Sequence, residues 1–136
     1  SIVGSRQMCI RDRASVELEV ISKDYTHLEQ DPDLLASFQR HAEALGRRFE
    51  TEGPAPSYST DMGNLSLAMP SIHPLLGIET SGAVNHQPAF AAACLGPSAE
   101  AAIVDGARAL AAVAIDAAED PALRQRLIDG ASKRKR

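Results

Sequence analysis

The stretch that most constrains the fold runs over residues 59–86, STDMGNLSLAMPSIHPLLGIETSGAVNH. It contains two short apolar runs, at 65–69 and 75–78, and each run is entered from a polar loop. Short apolar runs bounded by turn residues predict two buried strands, at 65–69 and 75–79. Since α/β proteins place polar groups at the ends of buried strands, this stretch predicts the chemical centre of the molecule. The first loop carries Asp61, Gly63 and Asn64, and the second run leads to Asn85 and His86, just before a helical stretch.

Upstream of this stretch, the sequence predicts one strand and one helix. Residues 16–21, VELEVI, alternate apolar and acidic side chains, which is typical of a half-exposed strand. Asp31 then offers a capping carboxylate, Pro32 fits the first helical position, and Gly46 ends the helix in the left-handed conformation. The predicted buried face of this helix consists of Leu34, Leu35, Phe38, Ala42 and Leu45.

Downstream, a short helix is predicted over residues 87–94, and a long helix from a capping Ser98 to about residue 118. Asp120 and Pro121 repeat the earlier start signal and open a last helix. Strands that alternate with helices indicate an α/β layer structure. The predicted buried stripe of the long helix consists of Ile103, Val104, Ala107, Leu110, Ala111, Ala114 and Ile115.

Composition argues against several classes of function. The chain of 136 residues has a formal net charge of −4, so no nucleic-acid partner is expected. The longest apolar stretch, 107–118, is interrupted by charges and is too short to span a bilayer, so no membrane partner is expected. Two distant cysteines, Cys9 and Cys94, form no disulfide framework, and a cytoplasmic location is the expectation.

Residues 1–13, SIVGSRQMCIRDR, follow neither a helical nor a strand pattern. The string QMCIRDR looks like translated sequencing-adapter DNA, and the segment is interpreted as a non-native scar. An ordinary frayed N-terminus is the alternative. On the first interpretation the chain begins at an arbitrary cut and is a fragment of a longer protein.

The residues alone do not specify a reaction, since the sequence has no HExxH, GxSxG or phosphate-loop motif. His86 opens a helix after a loop of small residues, where an imidazole can reach a cleft. One histidine does not make a zinc site, because zinc takes three or four protein ligands. Asp61 and His73 equally fit structural roles in turns, and His27 and His41 fit surface or core-edge positions.

Three segments in this order and spacing are more informative together: STDMGNLS at 59–66, PSIHP at 70–74 and NHQPAF at 85–90. They resemble the C-terminal part of the di-zinc metallopeptidase and amidohydrolase family. This family includes carboxypeptidase G, aminoacylases, aminobenzoyl-glutamate hydrolases and β-alanyl-lysine dipeptidase. The resemblance implies an incomplete α/β fold. Residues 14–26 would end an inserted lid or dimerisation domain with its last strand, and 27–136 would form the C-terminal part of an αβα catalytic domain.

The same resemblance assigns site residues. His86 matches the last ligand of a zinc pair. The residues that match or border the substrate pocket are Asp61, Gly63, Asn64 and His73. The general base and the other ligands of two zinc ions would lie in an N-terminal half that is absent here. The resemblance therefore implies a zinc-dependent hydrolase of dipeptides or N-acyl amino acids. It is compatible with a homodimer of the full-length protein. The chain alone is expected to be inactive.

Two alternatives stay open. The first is a non-catalytic binding module on the same fold, which intact upstream metal ligands would argue against. The second is an interaction protein that uses the basic end at 133–136, KRKR, to contact nucleic acid or acidic lipids. Such an end is more often solvated, and the rest of the chain is acidic.

Overall fold

The computed structural model describes residue 19 and residues 24–49 and 60–134. The scar predicted at 1–13 lies outside the described residues, as does the strand predicted at 16–21 apart from Glu19. The helices of the described residues are α1 (Pro32–Ala44), α2 (Met62–Ala68), α3 (Pro88–Ala93), α4 (Pro97–Glu119) and α5 (Pro121–Arg134). In the same ranges, the β-structure is one isolated parallel bridge between Gln30 and Ser71.

Helix α1 confirms the predicted start and stop signals. Asp31 Oδ1 accepts the Leu34 N–H at 3.2 Å, and Pro32 occupies the first turn. Gly46 follows the helix with φ of +88°, a conformation that glycine adopts without strain. The predicted inner face is confirmed for Phe38 and Ala42, which are buried.

The core lies where α1 packs against α4. Phe38 and Ala42 of α1 meet Ala109 and Val113 of α4, and all four side chains are buried. The Phe38 ring contacts the Phe49 ring edge to face, with centroids 6.3 Å apart. The partly buried apolar residues packed around this cluster are Leu34, Phe49, Ile72 and Leu76. The core therefore also fixes the segment that carries the candidate residue His73.

The predicted buried stripe of α4 is wrong. The helix instead buries small residues, Ala99, Ala102 and Ala109, together with Val113. Alanines let two helix backbones approach closely, so α4 turns its small side towards α1. The larger apolar side chains of α4 are 45–70% exposed; we call them the outer face of α4. They are Ile103, Val104, Leu110 and Ile115.

The start of α4 also differs from the prediction. Gly96 is the residue before the helix and Pro97 occupies the first turn. Ser98 does not cap α4; its hydroxyl accepts the Glu79 N–H at 2.8 Å and ties residues 75–79 to the helix.

The predicted strand at 65–69 is wrong, because these residues belong to α2 and its end. Residues 62–68 contain no β-branched side chain, and Leu, Met and Ala favour helix. The side of α2 that is buried carries Gly63 and Ser66, whereas Leu65 and Met69 are 42% and 41% exposed. An apolar pattern could not reveal a helix whose buried side is small and polar.

The second predicted strand, at 75–79, has no assigned strand structure and no ladder partner among the described residues. The α/β layer structure and the lid strand therefore stay predictions. The last helix is confirmed, since Asp120 Oδ1 accepts the N–H groups of Ala122 and Leu123 at 2.8 and 3.1 Å. None of the helices in the described part of the chain has the length and apolarity to cross a membrane.

Candidate functional site

Asp61 stands at the surface, immediately before α2. The Thr60 hydroxyl, rather than the Asp61 carboxylate, accepts the Met62 N–H at 3.3 Å. The carboxylate makes no capping bond to α2 and accepts the Thr60 hydroxyl at 3.4 Å. Its remaining lone pairs are accessible from solvent, as a ligand contact would require.

Asn64 joins α2 to the extended segment at 24–31. Its Oδ1 accepts both the backbone N–H and the hydroxyl of Thr26 at 2.8 Å, and its Nδ2 donates to Asp24 O at 3.1 Å. These bonds occupy both lone pairs of the amide oxygen and one of its two N–H groups. In this structure, Asn64 therefore holds the loop in place; its predicted contact with substrate stays a prediction.

Gly63 is buried where α2 lies against the same segment. A Cβ at this position would lie 2.0 Å from Thr26 O and 3.1 Å from His27 O. Because both atoms belong to the backbone, no side-chain rotation could relieve the overlap. The position therefore requires glycine for packing, which accounts for one residue that the resemblance assigned to the pocket.

Ser66 is a contributor that the sequence analysis did not single out. Ser66 is 0% exposed. Its hydroxyl donates to Gly63 O at 2.7 Å and accepts the Glu29 N–H at 2.9 Å. Both hydrogen bonds of a buried hydroxyl are thus made inside the protein. The signal that could have identified Ser66 is its spacing of three residues from Gly63 on one helix side.

His73 lies beside the same extended segment. Its backbone N–H donates to Gln30 Oε1 at 2.8 Å, and the neighbouring Ser71 O accepts the Asp31 N–H at 2.8 Å. The structure therefore brings two predicted residues, Asn64 and His73, to one segment of the chain. The half-buried His73 agrees with a position at the border of a pocket as well as with a role in the turn.

His86 occupies the turn before α3 and is exposed. Its φ is +66°, in the left-handed region that costs non-glycine residues energy. Ser81, at the other end of the same connection, also has a positive φ, 51°. His86 thus lies in a turn whose backbone conformation glycine would adopt more easily.

The described residues contain no group of three or more His, Cys, Asp or Glu side chains arranged to hold a metal ion. Zinc takes three or four protein ligands, so these residues do not by themselves complete a zinc site. The role of His86 as one zinc ligand stays a prediction.

A second polar cluster surrounds Asp116, which lies on α4 and contacts residues of α1. Asp116 Oδ2 accepts from Ser37 Oγ at 2.6 Å, from Arg40 Nη2 at 2.6 Å and from His41 Nε2 at 2.8 Å. The hydrogen bonds from Ser37 and His41 hold the pKa of Asp116 below its ordinary value. The sequence carried a signal for this cluster, because the three donors share one side of α1 and Asp116 interrupts an apolar run.

This cluster borders a cavity of about 440 Å³ between α1, α4 and the start of α5. The lining residues include Asp33, Arg40, Asp116 and Glu119. None of the five residues predicted from the sequence lines it. Because Asp116 lies on α4 and its three hydrogen-bond donors lie on α1, the cluster holds these two helices together.

The basic end is described in part. Arg134 donates to Ser66 O and lies 3.9 Å from Glu29 Oε2, so its guanidinium contacts the protein itself. These contacts join the end of α5 to α2. They leave less positive charge at this end for binding nucleic acid or acidic lipids, as the interaction-protein alternative requires. Residues 135–136 lie outside the described part.

Comparison with known proteins gives two relatives. The chain is 31% identical over 121 residues to the Xaa-Arg dipeptidases of Mus musculus and Homo sapiens. In each case the similarity covers 87% of this chain and 28% of the relative. The chain thus spans little more than a quarter of the length of the curated relatives it matches. No protein-family model matches the chain, and no solved structure matches it significantly.

Proposed function

We propose that this chain is the C-terminal part of the catalytic domain of a dipeptidase-like hydrolase. The observation that carries the proposal is its similarity, over 87% of its length, to two Xaa-Arg dipeptidases. The proposed substrates are dipeptides or N-acyl amino acids, whose amide bond a metal-activated water would cleave.

The chain's own residues have three roles in this proposal. Asp61, exposed before α2, contacts substrate. Asn64 and Gly63 hold the Asp61 loop against the segment at 24–31, as their bonds and close packing support. His86, exposed in the turn before α3, supplies one ligand to a zinc pair.

Zinc dependence is the part of the proposal that reaches beyond the described residues. Because these residues do not complete a zinc site, we assign no reaction step to a metal on this chain. The other ligands and the general base are proposed to come from the upstream part of a longer protein. It follows that the chain alone should neither bind zinc tightly nor hydrolyse substrate.

The first experiment uses the chain as it is. Zinc titration by calorimetry should show only weak binding, and incubation with Xaa-Arg dipeptides and N-acyl amino acids should give no turnover. Tight binding of two zinc ions per chain, or turnover by the chain alone, would contradict the proposed division of the site.

The second experiment tests the function itself. This chain would replace the corresponding 28% of the mouse Xaa-Arg dipeptidase, and the chimera would be assayed for hydrolysis of an Xaa-Arg dipeptide. We expect an active chimera that His86→Gln inactivates with loss of bound zinc. His27→Gln is the matched control, because the His27 side chain is 70% exposed and pairs with Glu29. A folded chimera in which both variants keep full activity would refute the assignment of His86.

A non-catalytic binding module is the second candidate, and the same chimera separates the two. A module that lost its chemistry would fold in the chimera and bind dipeptide without cleaving it. Isothermal titration with an Xaa-Arg dipeptide, in parallel with the activity assay, measures both properties.

A further inference from the structure

Helix α4 carries more apolar surface than it buries. One side, Ala99, Ala102, Ala109 and Val113, is buried, the last two residues in the core against α1. The other side is the outer face defined above, whose most exposed member, Ile103, is 70% exposed. Exposed apolar surface of this extent typically marks an interaction site, and the described residues leave the outer face uncovered.

The outer face is a continuous stripe. Ile103 and Leu110 are seven residues apart, and Val104 and Ile115 are eleven apart, which places each pair close to whole turns of an α-helix. Ala107 and Ala114 lie between them on the same side and are also exposed. Arg108 borders the stripe, because it lies four residues after Val104 and seven before Ile115.

The comparison with relatives indicates what covers this stripe. A continuous region that covers 87% of the chain includes residues 103–115 wherever it begins, because they lie far enough from both ends. The outer face therefore has its counterpart in proteins of which the aligned region is only 28%. The remaining 72% of each relative is polypeptide of the same chain that could cover this face.

We infer that the outer face of α4 is an internal packing surface, covered by the upstream part of a longer dipeptidase-like chain. This inference rests on the proposed function, since it takes its occupant from the relatives. The occupant presents a complementary apolar layer, because the stripe offers methyl groups and no hydrogen-bonding side chain. The outer face and the side against α1 then form two halves of one core, with α4 between them.

The test compares one double variant, Ile103→Gln with Leu110→Gln, in two settings. In the chain alone both side chains already face water, so the melting temperature should change by less than about 2 °C. The fluorescence of the apolar dye anilinonaphthalene sulfonate should fall, because the dye binds exposed apolar surface. In the chimera with the mouse dipeptidase, the same variant should melt about 5 °C or more below the unaltered chimera.

Arg108→Gln is the matched control, because it introduces the same amide at the border of the outer face and removes no apolar side chain. It should leave melting and dye binding unchanged in both settings. Equal melting of the double variant and the unaltered chimera would overturn the inference. A chimera that binds the dye as strongly as the chain alone would overturn it too, since the face would remain uncovered.

Self-association is a separate outcome of the same experiment. If light scattering shows the chain alone as a dimer that the double variant converts to a monomer, the occupant is a second copy and the inference is wrong. Melting and dye binding need no catalysis, so the two proposals fail separately. A chimera with the expected melting pattern but no hydrolysis would refute the proposed function and leave the packing surface in place.

Discussion

Asp31 and Arg126, 95 residues apart in sequence, form a two-point ion pair. Arg126 Nη1 donates to Asp31 Oδ2 and Nη2 donates to Oδ1, both at 2.8 Å. The same carboxylate caps α1 by accepting the Leu34 N–H. One buried side chain therefore fixes the start of α1 and attaches α5 to it, and the Arg126 hydrogen bonds hold the pKa of Asp31 below its ordinary value.

Replacing the guanidinium should destabilise the protein measurably. We expect Arg126→Ala to lower the free energy of unfolding by about 1–3 kcal/mol, because Asp31 would stay buried without its charged partner. The Arg126 side chain is 41% exposed, which keeps this value below that of a fully buried pair. Urea unfolding at pH 7 measures the change. Arg108→Ala on α4 is the control. If both variants lose the same free energy of unfolding, the Asp31–Arg126 pair contributes no specific stabilisation.

Asp116 should contribute a pH dependence on the acid side. Its pKa is lowered from 3.8 by hydrogen bonds from Ser37 and His41, so the folded protein holds this proton less tightly than the unfolded chain. The stabilisation is therefore complete above the ordinary value and is lost as the pH falls through the lower folded pKa. Asp116→Asn should melt lower at pH 6 and lose less of its remaining stability below about pH 4. Thermal melting across this range checks both effects.

Asp129→Asn is the comparison for that experiment, since Asp129 accepts only a neutral amide, Gln125 Nε2, on the exposed side of α5. Its melting profile should follow that of the unaltered chain. If Asp116→Asn also follows that profile at every pH, the cluster does not anchor α1 to α4.

The predictable parts of the fold were those fixed by local chemistry. Two helix starts could be predicted from an Asp-Pro pair, at 31–32 and at 120–121. In each pair the carboxylate accepts N–H groups of the first turn and the proline fixes a helical φ. Gly46 predicts the end of α1, because glycine readily adopts the positive φ that terminates a helix. Each signal needs no knowledge of the rest of the chain, and each is confirmed.

The wrong predictions concern choices that tertiary packing makes. On α4 the sequence offered two apolar sides, and side-chain size favoured Ile103 and Leu110, yet the alanine side packs against α1. On α2 the buried residues are Gly63 and Ser66, which an apolar pattern does not mark. In both elements the deciding factor is how closely two backbones approach, and the sequence alone does not display it.

The site could be predicted only as a set of residues. The described structure brings Asn64 and His73 to the segment at 24–31 and shows why Gly63 is glycine. The role of His86 depends on ligands that the described residues do not supply. Its assignment to zinc therefore stays a prediction.

Gly63 should be intolerant of even one methyl group. A Cβ would overlap Thr26 O at 2.0 Å, so Gly63→Ala must separate α2 from the segment at 24–31 and is expected to cost about 3 kcal/mol of unfolding free energy. Gly77→Ala is the matched control, because a Cβ there meets nothing within 4 Å. Urea unfolding of the two variants measures the difference. Equal stabilities would show that α2 does not pack closely at Gly63.

His86 should show opposite effects on stability and on activity. Its φ of +66° costs about 1 kcal/mol for a residue with a Cβ, so His86→Gly should stabilise the chain alone by about that amount. His86→Ala keeps the Cβ and should leave the stability nearly unchanged. In the chimera with the mouse dipeptidase, both variants should lose bound zinc and hydrolysis, because both lack the imidazole. Thermal melting and the dipeptide assay together check the prediction: a strained histidine that can be replaced without loss of activity would have no function to account for its strain.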